Sequence, residues 1–205
     1  FIKKGQKRKL DYLPPKIAIE GHGIKRGLTA VEAAILMEQP MDKILTLILF
    51  SVLKKGAATV INRNPLEIRV EDQPPQNLRD YEIAFLQAFK IDEPKRRKIL
   101  QDMMVSLVKS VGEKMKGFSR KETIDYYKDI MEKAWQQVES AETPEVRAEK
   151  YSDAIDWTIL DRDFDTRTRR TFGTGPVYMP YWWYRADPTL NRTSKGSVRT
   201  PAKSS

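Results

Sequence analysis

The run Leu28-Thr-Ala-Val-Glu-Ala-Ala-Ile-Leu-Met-Glu-Gln-Pro40 is followed by Met41-Asp-Lys-Ile-Leu-Thr-Leu-Ile-Leu-Phe-Ser-Val-Leu-Lys-Lys-Gly56. Two short β-rich runs come next, Ala57–Asn62 and Leu66–Glu71, separated by Arg63-Asn64-Pro65. Thr29 and Glu32 form a capping box: the hydroxyl takes the amide three residues on, and the carboxylate returns to the cap's own amide. Pro40 divides the helix that follows from a second, Met41–Lys55. In that second helix Met41, Ile44, Leu45, Ile48, Leu49, Val52 and Leu53 keep the 3–4 spacing of one buried face. Lys54 and Lys55 suit the negative end of its dipole, and Gly56 suits the left-handed position just beyond.

Helix, helix, glycine stop and hairpin, in that order, is the outline of a winged helix. Such modules bind DNA or protein far more often than they catalyse. Downstream, Pro74-Pro75-Gln-Asn77 reads as a linker. Leu78–Phe89 predicts a helix, and Pro94, with Asp92 as cap, predicts the first turn of another running to Lys116. Ser119 and Glu122 repeat the capping-box pattern ahead of a helix to Ser140, and Thr143-Pro144 opens one ending near Trp157. From Asp161 the periodicity dissolves. Tyr12-Leu-Pro-Pro15 reads as extended backbone, and Gly21-His-Gly23 and Gly27 read as turns. The fold class expected is mainly α (α+β). A basic segment at 1–14 leads into a winged-helix module with a two-stranded wing at 15–73. A helical module at 78–158 follows, then an extended aromatic arm and basic tail at 159–205.

The chain has 205 residues and a formal net charge of +9. Lys3, Lys4, Lys7, Arg8 and Lys9 contribute +5 within residues 1–10. Arg185, Arg192, Lys195, Arg199 and Lys203 against Asp187 contribute +4 within 185–205, so residues 11–184 are formally neutral. DNA-binding domains usually carry their excess charge on the folded body. There is no cysteine and a single histidine, His22, which leaves no thiolate site and little for zinc or for a serine–histidine mechanism. No segment reaches the roughly 18 apolar residues a membrane span needs. The opening Phe1-Ile2-Lys3-Lys4 reads as part of a longer protein, with basic residues of the sort that flank a span on its cytoplasmic side.

With the stripe of the second helix buried, the outward positions are Asp42, Lys43, Thr46, Leu47, Phe50, Ser51, Lys54 and Lys55. That set is poor for reading bases, which favours Arg, Asn, Gln and Lys on an open face. Leu47 and Phe50 are therefore expected to pack on something apolar, either the helices after Leu78 or a protein partner. Asp161-Arg-Asp-Phe-Asp165 begins like a calcium loop but lacks its glycine and its closing glutamate, Thr166 and Phe172 standing in their places. A salt-bridged segment using Arg162, Arg167, Arg169 and Arg170 is the better reading. No nucleophile motif or phosphate-cradling loop is present, so no catalytic residue, metal or cofactor is assigned. Tyr178, Tyr181, Trp182, Trp183 and Tyr184, between Pro176 and Arg185, read as an extended arm laid on the domain or as a belt at a partner or membrane surface.

Residues 12–71 resemble the cytosolic part of a family of bacterial membrane proteins of unknown function. The shared features are the double proline at Leu13-Pro14-Pro15, the Gly27-Leu-Thr-Ala-Val-Glu32 opening, and the aspartate-containing helix that ends in Lys54-Lys55-Gly56 before a hairpin. Ala30 stands where that family has proline, and Ala57 where it has an aromatic residue. The resemblance implies a non-enzymatic protein-interaction or scaffolding domain on the cytoplasmic face of a membrane. Its partner would be another protein or the chain's own membrane region, and Lys3, Lys4, Lys7, Arg8 and Lys9 would meet anionic lipid. The alternatives are a soluble winged-helix DNA-binding transcriptional regulator and a subunit of a larger protein assembly.

Overall fold

The computed structural model describes residues 21–63 and 65–173. The basic segment at 1–14 and the aromatic arm from Tyr178 lie outside them. The described chain is mainly helical with one two-stranded antiparallel sheet. In order the elements are α1 (Ala30–Leu36), α2 (Met41–Lys54), β1 (Ala58–Arg63), β2 (Leu66–Val70), α3 (Asp80–Phe89), α4 (Lys95–Met115), α5 (Arg120–Glu139), α6 (Pro144–Thr158) and α7 (Phe164–Phe172).

The helix boundaries follow local chemistry. Thr29 Oγ1 accepts the Glu32 N–H at 3.2 Å and Glu32 Oε1 accepts the Thr29 N–H at 3.4 Å, so the capping box of α1 closes. Gly56 takes φ 75° just past α2, a conformation open to glycine at little steric cost. At α6, Thr143 Oγ1 accepts the Val146 N–H at 3.3 Å, and Pro144 occupies the first turn. Two expectations are corrected. Pro94 is the residue before α4 rather than part of its first turn, and the carbonyl of Asp92, not its carboxylate, takes the Arg96 N–H at 3.2 Å. The second capping box forms only halfway. Ser119 Oγ accepts the Glu122 N–H at 3.3 Å, but the Glu122 carboxylate turns away to the Gly23 N–H at 3.0 Å.

That detour belongs to a seam along the start of α5. Ser119 N–H donates to the Gly23 carbonyl at 2.8 Å, and Lys25 N–H to Thr123 Oγ1 at 3.0 Å. Tyr127 Oη accepts from the Leu28 N–H and donates to the Lys25 carbonyl, both at 2.9 Å. Gly21 lies so close to the α4–α5 turn that a Cβ there would sit 2.6 Å from the Gly117 carbonyl carbon. The glycines read as turns thus let the chain press against α5 before it enters α1.

In the hairpin, Ala58 pairs with Val70, Val60 with Ile68 and Arg63 with Leu66, and the register shifts between Val60 and Asn62. Val60 and Ile68 face the core, while Ile61 points out and is 53% exposed. A single hydrophobic cluster runs from Leu28 to Leu160 and draws on both sides of Pro74-Pro75. Its largest fully buried side chains include Trp135, Tyr127, Tyr151 and Phe85. α1 contacts α2, α4 and α5; α3 packs on α2, α4 and β2; α5 pairs with α6.

α7 was not expected, because no apolar period marks it. It is held by its ends and its middle. The Phe164 ring lies 6.0 Å from Trp135 and 6.3 Å from Tyr151, and Phe172 lies 5.0 Å from Tyr151. Arg167 supplies the central tie, described below. Among the described residues, no helix is long and apolar enough to cross a membrane.

Candidate functional site

The outward side of α2 is where partner contact was expected, and the rest of the chain covers part of it, leaving Asp42 and Lys54 exposed. Leu47 is 1% exposed, so its assignment as a partner-binding residue is corrected: it belongs to the core. Of the two coverings foreseen, the internal one holds for Leu47, because α3 packs on α2 and Asp156 of α6 approaches the same side at Lys54. Phe50 is half-buried and packs at the edge of the same cluster.

The polar residues of that side are engaged within the chain. Ser51 and Lys55 follow Leu47 at one-turn intervals and therefore share its face. Both meet Glu82 of α3, which is fully buried. Glu82 accepts from Ser51 Oγ–H, from Lys55 Nζ at 2.7 Å, and from the Arg79 N–H at 2.8 Å. Lys55 donates again to the Asn77 carbonyl at 3.1 Å. Lys54 Nζ lies 3.9 Å from Asp156 Oδ2 of α6. Lys43 Nζ donates to the Asp161 carbonyl at 2.9 Å, and partial burial depresses its pKa despite the attraction of Asp161 and Asp165.

A second buried carboxylate sits nearby. Glu32, besides capping α1, pairs with Lys114 of α4. Thr29 Oγ1 also lies 3.1 Å from Tyr81 Oη. Burial pushes the Tyr81 phenol up to about 12, with the Thr29 hydrogen bond opposing, so it remains protonated at neutral pH.

Between these groups lies a cavity of about 220 Å³, lined by Thr29, Ser51, Lys55, Arg79, Tyr81 and Asp156 among others. Asp156 Oδ1 is buried and has no hydrogen-bond partner among the described residues. Burial raises the Asp156 carboxyl above the usual range, and Lys54 only partly offsets that. A carboxyl raised in the folded state contributes stability that is fully present below its unfolded pKa and is lost as pH rises through the folded value. Asp156→Asn is therefore expected to be more stable than the native chain at pH 7, with the gap closing near about pH 4. Urea denaturation at both pH values checks this; a gap that does not change with pH refutes it.

The segment after α6 shows what the acidic run does. Asp161 Oδ1 accepts the Asp163 N–H at 2.9 Å, and Oδ2 accepts from Arg167 at 3.1 Å. Arg167 also bonds Glu132 at 2.9 and 3.1 Å and Glu139 at 2.8 Å, and its guanidinium stacks 4.9 Å from the Trp135 ring. Glu132 first, then Glu139, hold it charged even more firmly than a free arginine. Of the four arginines weighed for that role, Arg167 is the one at the centre. Among the described residues, no group of three or more His, Cys, Asp or Glu is placed to hold a metal ion.

Glu82 is a residue that sequence reasoning missed, and its one local mark is its place as the third residue of α3. Arg167 was foreseen only as one of four arginines that could neutralise the acidic run; nothing in the sequence singled it out from the other three. The remaining expected contacts, Tyr178, Tyr181, Trp182, Trp183 and Tyr184 of the arm and Lys3, Lys4, Lys7, Arg8 and Lys9 of the first segment, lie outside the described residues. Comparison of the chain with models of known protein families, with curated proteins and with solved structures finds no match.

Proposed function

We propose that this chain is a non-enzymatic protein-interaction domain of winged-helix type, carried on the cytosolic side of a membrane-anchored protein. One observation supports it above the others: much of the side of α2 that a DNA-reading helix would present is engaged within the chain. Leu47 is buried, Ser51 and Lys55 are tied to Glu82, and Lys54 and Lys43 reach α6 and the residues just after it. Base readout needs free donors and acceptors on an open helix face. Among the described residues, the exposed large apolar side chains, Ile61 on the hairpin, Ile83 on α3, Ile91 after it, Val105 on α4 and Val146 on α6, all lie off α2.

The basic ends then serve attachment rather than readout. Lys3, Lys4, Lys7, Arg8 and Lys9 would contribute ~1 kcal/mol each beside anionic lipid. The test is a fluorescence-anisotropy titration with duplex DNA at two salt concentrations, on the full chain and on one lacking residues 1–10 and 185–205. Binding that disappears with the two ends agrees with this reading. A steep salt dependence that survives their removal would make the folded body a DNA-binding regulator instead.

A further inference from the structure

Lys43 stands in the first turn of α2, where the positive end of the helix dipole disfavours a cation. The side chain is half-buried, and Nζ donates to the Asp161 carbonyl at 2.9 Å, a neutral oxygen. Lys54, Lys55 and Lys114 each meet a carboxylate, whereas Lys43 makes no direct ion pair among the described residues. The Asp161 carboxylate is taken by the Asp163 N–H and by Arg167. Lys43 lines an open cleft of about 410 Å³ together with Asp42, Thr46, Ile159, Arg162, Phe164 and Asp165. Asp42 and Asp165 are exposed, so water and salt screen their pull, and Arg162 in the same lining opposes it. Burial outweighs Asp161 and Asp165 and lowers the pKa of Lys43. Lys98, Lys121 and Lys133 shift the other way, each hydrogen-bonded to a carboxylate one turn on.

We propose that Lys43 is the lysine of this chain that takes up a small acyl group most readily, from an acyl phosphate or an acyl thioester. The uncharged amine is the nucleophile, and burial together with the helix dipole raises its share at neutral pH. Nζ attacks the acyl carbonyl carbon and a C–N bond forms. The bond from that carbon to the phosphate oxygen or thiolate sulfur breaks, the leaving group keeps the electron pair, and Nζ releases one proton to water. The product amide carries no charge for burial or the dipole to penalise, and it keeps an N–H for the Asp161 carbonyl. Ile159 and Phe164 in the same lining offer the acyl methyl apolar neighbours. Because the cleft is open, the donor reaches the amine without any movement of the fold. The proposal goes beyond the interaction reading above and does not depend on it.

The experiment is competitive labelling of the full chain with a trace of acetic anhydride, from about pH 6 to about pH 11, a range that spans the titration of an ordinary lysine. Peptide mass spectrometry reads the rate at each lysine, and less than one acetyl group per chain leaves the fold intact. Lys109 and Lys128, exposed in the middle of α4 and α5, serve as references. Near neutral pH Lys43 is expected to react at least about threefold faster than either. Its rate should also reach half its plateau at lower pH than theirs, a shift that restricted access alone does not produce. In guanidinium chloride the three lysines should become alike, because burial and helix are lost together. Two further arms at neutral pH use acetyl phosphate and a small acetyl thioester, and the donor that acetylates Lys43 ahead of the references identifies the source. A Lys43 profile that coincides with the references or lies at higher pH overturns the proposal. So does a slower reaction than theirs near neutral pH, a preference that persists in denaturant, or the absence of preference with both donors.

Discussion

Replacing Lys55 with methionine is expected to cost about 3–5 kcal/mol, read as a lowered midpoint in urea denaturation. The size follows from what is left behind. Glu82 is fully buried, and Lys55 is the cation that compensates it at 2.7 Å. Ser51 and the Arg79 N–H still bond the carboxylate but carry no charge to it. An exposed ion pair would contribute only up to about 1 kcal/mol. A second substitution sharpens the result. Glu82→Gln in the Lys55→Met background removes the stranded charge while keeping an oxygen for Ser51 and Arg79, so part of the loss should be recovered. A single-variant loss below about 1 kcal/mol would place the pair among ordinary surface bridges and remove it as the reason α3 covers α2.

Trp135→Ala should be comparably severe, at about 3–5 kcal/mol. The indole is 0% exposed and lies where α5, α6 and α7 meet. Its ring centroid is 6.3 Å from Tyr151 and 6.0 Å from Phe164, and Arg167 stacks on it at 4.9 Å. Truncation would open a cavity and remove the platform beneath Arg167 in one step. A whole domain's stability is about 5–15 kcal/mol, so the variant approaches the limit of folding. α7 has no fully buried residue of its own and leans on this junction. Hydrogen exchange across 164–172 should therefore accelerate more than exchange in α1 or α2. Equal acceleration throughout would show that α7 does not depend on Trp135 in particular.

The legible parts of this fold share one property: their signals lie within a few residues of one another. The Thr29–Glu32 box closes over three positions, Gly56 ends α2 by its own backbone freedom, and the hairpin pairs strands joined by a short turn. The α2 stripe likewise needs only neighbours three or four residues apart. The candidate site is built from longer reaches. Lys55 meets Glu82 across 27 residues, Arg167 meets Glu132 across 35, and Glu122 leaves its expected cap for Gly23 across 99. The half-formed box at Ser119 shows the competition directly. A local pattern offered Glu122 one amide, and a strand of chain folded back from far upstream offered another.

Leu47 marks the same divide. Spacing identifies the broadest apolar face of a helix, and Leu47 lies off that face, so counting residues places it outward. Packing α3 against that side turned it inward and engaged Ser51 and Lys55 with it. Composition and short-range pattern were enough to set a mainly helical chain with its caps, its glycine stop and its two-stranded hairpin, because those depend on backbone torsions and near neighbours. Which polar side chains became buried partners, that α7 exists at all, and that both signs of charge converge on one cavity were decided only when distant helices met, since burial and Coulomb attraction act through space and not along the chain.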